Sequence, residues 1–208
     1  MNINNFLPIF YFSNDIKLFN IFNLNFFSIT HDWFGKTVNN SPSFLLGYNE
    51  INIYFAFSNN HKPFFNKKHK INTYNEGLWE YDVAEFFIFD IKAKKYQEFN
   101  LSPTGSWWTM LFCDYRKQDQ NNLTIPDRIE IYSDYSEKMW QVALKLPLNQ
   151  LSVDFFDPGN CTGNVCAIVN KNRKYLSWAK SCSQKPDFHL VKSFLPFEMI
   201  PFRSKDNL

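Results

Sequence analysis

Two carboxylates interrupt an otherwise apolar run, Tyr81-Asp82-Val83-Ala84-Glu85-Phe86-Phe87-Ile88-Phe89. A charge set among hydrophobic side chains costs several kcal/mol, roughly, unless it is paired or hydrogen-bonded. The run predicts a strand covered on both faces, and alternation puts Glu85 with Val83, Phe87 and Phe89 while Asp82 sits with Ala84, Phe86 and Ile88. Glu85 therefore needs a partner: an Arg, a backbone amide, a metal or a ligand hydroxyl. An internal ion pair and a ligand contact answer that need equally well. The next stretch, Tyr96-Gln97-Glu98-Phe99-Asn100-Leu101, places Tyr96, Glu98 and Asn100 on one face. If the two strands pair, these groups converge near Glu85, and convergent acceptors and amides suit a polyhydroxylated ligand whose hydroxyls both donate and accept. Arg116 and Arg173 stand at loops or strand ends, either as surface residues or as forks held by a carboxylate while donating to vicinal hydroxyls. Trp79, beside Gly77, offers either a flat platform for the apolar face of a pyranose or a core or lid aromatic.

Other chemistries find less support. Asp82 and Glu85, three apart on a strand, face opposite ways and cannot flank one glycosidic bond, although Glu80, Asp82 and Glu98 leave other pairings open. The expectation is a protein that is not an enzyme. His189, in Lys185-Pro186-Asp187-Phe188-His189, either takes part in the site or fixes the terminal strand. Cys113, Cys161, Cys166 and Cys182 share no C-x-x-C spacing, which argues against structural zinc, and they are read as reduced thiols. Cys161 and Cys166 flank a Gly-Asn turn and would be close enough to pair in an exported protein.

Positioning these residues falls to strands, because several runs keep a period of two and none of comparable length keeps a helical one. Trp140, Val142, Leu144 and Leu146 form one stripe with Gln141 and Lys145 opposite; Ile51, Ile53, Phe55 and Phe57 form a second. Ile129 and Ile131 mark a third strand and Trp107 to Cys113 a fourth, and a short helical turn is expected over Leu148 to Leu151. The connectors Ser58 to Gly77 and Asp114 to Asp127 are long for hairpins, and long ordered loops tend to border binding sites.

The 208 residues suffice for one domain. Aromatic residues make up 19% of the chain, which favours strands, and six Gly are too few for a repeat or linker protein. With 22 basic against 20 acidic residues there is no field to attract nucleic acid, and the cluster of His61, Lys62, Lys67, Lys68, His69 and Lys70 reads as a solvated loop. The first residues carry no basic region before an apolar run that Pro8 and Asp15 break, so neither a Sec signal nor a membrane span is expected.

The segment Leu78-Trp79-Glu80-Tyr81-Asp82-Val83-Ala84-Glu85-Phe86-Phe87-Ile88, with Tyr96 to Gly105 after it, resembles the core of the family 9 carbohydrate-binding modules and their DOMON-like relatives. Trp140 to Leu148 resembles a later strand of that group, and Asn164 to Ile168, Tyr175 to Trp178 and Pro186 to His189 resemble its closing segment. The resemblance covers about residues 24 to 202, leaving 1–20 as an N-terminal extension of a single domain over 1–208. It implies an all-β, antiparallel, jelly-roll-like β-sandwich that binds a small or terminal sugar without catalysis. It places Trp79 as an aromatic clamp, Glu85 as a ligand carboxylate, and Glu98, Asn100 and Asn164 as polar readers. Trp178, Trp107 and Trp108 compete for the second clamp. No cofactor is expected, although structural calcium occurs in such modules, and haem binding by some DOMON relatives makes Met110 with His189 a formal pair. A protein-interaction scaffold that lacks the cleft is the alternative; an open pocket at Trp79 and Glu85 distinguishes the two.

Overall fold

Side chains that alternate between apolar and polar can bury one face only by pairing edge to edge, and the chain does so throughout. A computed structural model describes residues 4–180 and 183–202; Cys182 lies outside them. Thirteen strands form within the described residues. In chain order they are β1 (Leu7–Tyr11), β2 (Phe27–Ser28), β3 (Ser43–Tyr48), β4 (Asn52–Asn59), β5 (Val83–Asp90), β6 (Lys95–Leu101) and β7 (Trp107–Asp114). There follow β8 (Lys117–Gln118), β9 (Glu130–Tyr135), β10 (Trp140–Pro147), β11 (Cys161–Val169), β12 (Lys174–Ser177) and β13 (Leu195–Pro201). Helical structure is confined to short 3-10 turns, one of them at Leu148–Gln150 where a turn was expected. No helix among the described residues is long and apolar enough to cross a membrane.

The strand order is β8-β7-β6-β5-β11-β13-β1-β3-β4-β10-β9, with β12 on β11 and β2 on β3. Most pairs are antiparallel, but β1 runs parallel to both β13 and β3, so the sheet is mixed where an antiparallel one was expected. The N-terminal segment is accordingly part of the sheet, with Leu7 and Ile9 in its core. Pro8 is compatible with that position. The β1–β3 ladder begins only at Phe10, so the side of β1 on which Pro8 lacks an N–H is not required to donate there.

The sheet curls until its halves meet. Phe55 on β4 and Phe86 on β5 lie 5.2 Å apart between ring centroids, within a core that also takes Phe57, Leu144, Phe99 and Leu111. The stripe of β4 starts at Ile53, not Ile51. Asn49 Oδ1 accepts the N–H groups of Ile51 and Asn52, which closes a turn there and leaves Ile51 67% exposed.

The opposite face of β5, β6, β7 and β11 carries a second apolar cluster, including Val83, Phe87, Trp108, Phe112 and Ile168, covered by Leu78, Phe188 and Phe194. β5 is thus buried on both faces, with Glu85 on the side of Val83 and Phe87 as alternation requires. Cys161 belongs to the core between the halves and Cys166 to the outer cluster. Five residues apart on one strand, they face opposite ways, and both are free thiols.

Candidate functional site

The strand register brings the buried carboxyls together. β5 pairs with β6 so that Glu85 faces Asn100 and Phe87 faces Glu98, which makes Glu85 and Glu98 diagonal neighbours on one sheet face. They are 3% and 4% exposed, and both open into a cavity of about 400 Å³ on the outer face. Trp108 and Phe112 of β7 and Ile168 of β11 complete its floor. Its walls come from the periphery: Trp79 from the turn Leu78–Glu80, Arg116 from the turn after β7, Gln118 from β8, Arg173 and Tyr175 from the β11–β12 hairpin, and 186–189 from the segment before β13.

The two arginines are presented by tight turns. Arg116 has φ 52° and Arg173 φ 53°, a left-handed backbone that non-glycine residues enter mostly in turns. Neither guanidinium pairs with Glu85 or Glu98. Arg116 Nη2 lies 2.8 Å from Asp187 Oδ1, while Tyr115 donates to Asp187 Oδ2 at 2.6 Å. Arg173 Nε donates to the Tyr175 hydroxyl at 3.0 Å. Asp187 was quoted above only as part of a motif; its position two residues before His189, whose N–H it accepts at 3.1 Å, is the local signal for it.

His189 is held in one orientation. The Tyr96 hydroxyl accepts the Arg116 N–H at 3.1 Å, so its own proton is available to His189 Nδ1 at 2.9 Å. In that arrangement the ring carries its proton on Nε2, 3.7 Å from Glu98 Oε2. Burial pulls the imidazole down to about 4, helped by Arg116 and opposed by Asp187, so His189 is neutral at pH 7.

Burial acts on the carboxyls in the other direction. It raises Glu85 well above the usual carboxylate range and the Glu98 charge raises it further, with Arg116 and Arg173 partly offsetting. Burial likewise pushes Glu98 up to about 7, against the nearby Asn100 amide and Arg116. No hydrogen bond or ion pair within the described residues reaches the Glu85 carboxyl.

Of the nine residues singled out from the sequence, Trp79, Glu85, Glu98, Arg116, Arg173 and His189 line this one cavity. Asn100 lies on the same face opposite Glu85 and Trp108 but is fully buried, and neither its Nδ2 nor its Oδ1 makes a hydrogen bond of good geometry. Asn164 is turned to its own strands: it donates to Ser177 Oγ at 2.9 Å and accepts the Ala179 N–H at 2.9 Å. Trp178 does not line the cavity; it packs edge-on against Phe44 and its Nε1 donates to the Phe6 carbonyl. Trp107 faces the core between the halves, so Trp108 alone among the clamp candidates joins Trp79, at 5.1 Å and 69°. No residue of the 58–77 loop lines the cavity, and Trp79 is partly exposed.

Among the described residues no three His, Cys, Asp or Glu side chains come together as a metal site. For haem, Met110 does not line the cavity and both His189 nitrogens already face protein groups.

In its fold the chain is similar to the family 9 carbohydrate-binding modules. Two such modules from Caldicellulosiruptor kristjanssonii, solved with cellotriose and with glucose, superpose with TM-scores of 0.58 and 0.55 at 10% and 11% identity. Each comparison covers 97% of this chain, and 97% and 98% of the respective module. A putative carbohydrate-binding protein from Bacteroides uniformis superposes with a TM-score of 0.71 at 15% identity, over 93% of this chain and 98% of that one. In sequence, the human UPF0462 protein C4orf33 is 26% identical over 185 residues, 82% of this chain and 86% of that protein. No protein-family model matches the chain.

Proposed function

We propose that the chain is a non-catalytic carbohydrate-binding module, with the curled sheet forming a jelly-roll-like sandwich, that takes a small or terminal sugar into this cavity. One observation carries the reading: buried, unpartnered Glu85 opens into a cavity of about 400 Å³ beside an indole wall and two guanidinium groups. That volume is within the range of small-molecule sites, roughly 300–1,000 Å³. Trp79, the exposed member of the Trp79–Trp108 corner, gives the stacking face, Trp108 closes the corner, and Glu85 and Glu98 accept from ligand hydroxyls. Arg116, Arg173 and the Nε2–H of His189 donate. The cellotriose and glucose held by two of the structural neighbours support the ligand class.

Binding without hydrolysis is supported by the two structural neighbours, which are carbohydrate-binding modules. A scaffold without a ligand is disfavoured because the 58–77 loop leaves the cavity unsealed. Titration calorimetry across mono- and oligosaccharides tests the proposal. Trp79→Ala is expected to weaken the best ligand roughly tenfold, the worth of one buried aromatic face. Equal affinity in the variant would remove Trp79 from the site, and a panel with no binder would refute the sugar reading itself.

A further inference from the structure

Glu85 and Glu98 leave a chemical question that a neutral sugar answers only in part. Two carboxyls, each at least nine-tenths buried, share the floor of one cavity as diagonal neighbours. Both guanidinium groups that line the walls are engaged elsewhere: Arg116 with Asp187 at 2.8 Å, and Arg173 Nε with the Tyr175 hydroxyl at 3.0 Å. Among the described residues no cation comes within ion-pair distance of Glu85, and Glu98 has only the Nε2 of a neutral His189 at 3.7 Å. A sugar hydroxyl can donate to one of these carboxyls but supplies no counter-charge, so it leaves their ionisation as unfavourable as before. An ammonium brings three N–H donors and a positive charge, so it can serve both acids at once.

We infer that the cavity prefers an amino sugar to the neutral sugar of the same stereochemistry, with the ammonium held between Glu85 and Glu98. The inference rests on the sugar reading above and names its ligand class. The charges of the lining agree with it. Asp187 already neutralises Arg116, so the floor with its two acids is the end of the cavity that a cation would occupy. N-acetylation removes the ammonium charge and adds bulk, so the acetylated sugar loses the preference.

Calorimetry at pH 7 with matched pairs in the gluco, galacto and manno series, each as the free sugar, the amino sugar and its N-acetyl form, reads the preference directly. In the pair that binds best, the amino sugar is expected to bind roughly tenfold more tightly than its neutral counterpart, the difference between charge-assisted and neutral hydrogen bonds. Glu98→Gln, which keeps the shape and an acceptor but removes the charge, is expected to bring the two affinities together. A neutral sugar that binds as tightly as its amino form overturns the inference and leaves the sugar reading in place. An amino preference that survives in Glu98→Gln and Glu85→Gln overturns the assignment to this pair of acids. Failure of every sugar in the panel to bind defeats both readings.

Discussion

Replacing Glu98 with Gln should make the empty protein more stable, by an amount that depends on pH. The carboxyl lies at about 7 in the folded state against an ordinary 4.5, chiefly because burial disfavours its charge. Its raised folded value means that the stability it contributes is fully present below pH 4.5 and is lost as pH rises through 7. The size of that loss is on the order of 3 kcal/mol, at 1.36 kcal/mol for each tenfold change in proton affinity. Gln copies the protonated acid at every pH, so Glu98→Gln keeps what the wild type loses. For a chain of this length 1 kcal/mol moves Tm by about 2–4 °C, so the variant is expected to melt roughly 6–12 °C higher at pH 8. The gap should close near pH 4. His189, whose folded value of about 4 gives it the opposite trend, loses stability as pH falls from 6.5 through 4. That trend is common to both proteins, so the difference between them reports Glu98 together with the Glu85 ionisation that its charge opposes. Thermal melts followed by circular dichroism from pH 4 to pH 8 make the measurement. A variant that melts lower at pH 8, or a gap that does not change with pH, would refute the reasoning that Glu98 is a destabilising buried charge.

Two further substitutions test the frame around the site. Asn164→Ala removes the amide that ties Ser177 and Ala179 to β11, leaving the buried Ala179 N–H without its acceptor while the Ser177 hydroxyl keeps its bond to the Ala179 carbonyl; a loss of about 2 kcal/mol in urea unfolding is expected. Gly163→Ala places a Cβ 2.6 Å from the Phe87 carbonyl oxygen, where β11 crosses beside β5 and β13. Because the obstacle is backbone, a loss of about 1–3 kcal/mol is expected by the same measurement, and unchanged stability would show that the sheet gives way easily there.

Much of the sheet was legible because period-two alternation is a local property. The stripes of β4, β9 and β10, the two-sided burial of β5 and its pairing with β6 follow from neighbours along the chain. β1 was not legible. Pro8 breaks the local pattern, and the parallel partners that accept it, β13 and β3, lie far away in sequence. The site divides in the same way. Glu85 and Glu98 announce themselves as charges in apolar strands, and Trp79 as an aromatic at a turn before one of them. Asn164 and Trp178 could not be placed from their types, because their roles depend on distant groups: the Ala179 N–H for one, the Phe6 carbonyl and Phe44 ring for the other. The two arginines were rightly seen at loops, but the carboxylate that holds Arg116 is Asp187 and not Glu85 or Glu98.

The feature that weakens the empty protein is also the one that the proposed ligand would engage. Above pH 7 the floor holds a carboxylate that the fold itself neither pairs nor bonds fully, beside a second acid whose ionisation the first opposes. An apolar pair at those positions would fill the face of β5 and β6 at lower cost. A ligand that donates to both acids restores what burial took from them, and a ligand that binds only the folded state adds RT ln(1 + [L]/Kd) to stability. The gain that a true ligand gives in a melting experiment should therefore be largest where the carboxyls are ionised and smallest near pH 4. A stacking interaction with Trp79 alone has no reason to vary across that range, because an indole carries no titrating group.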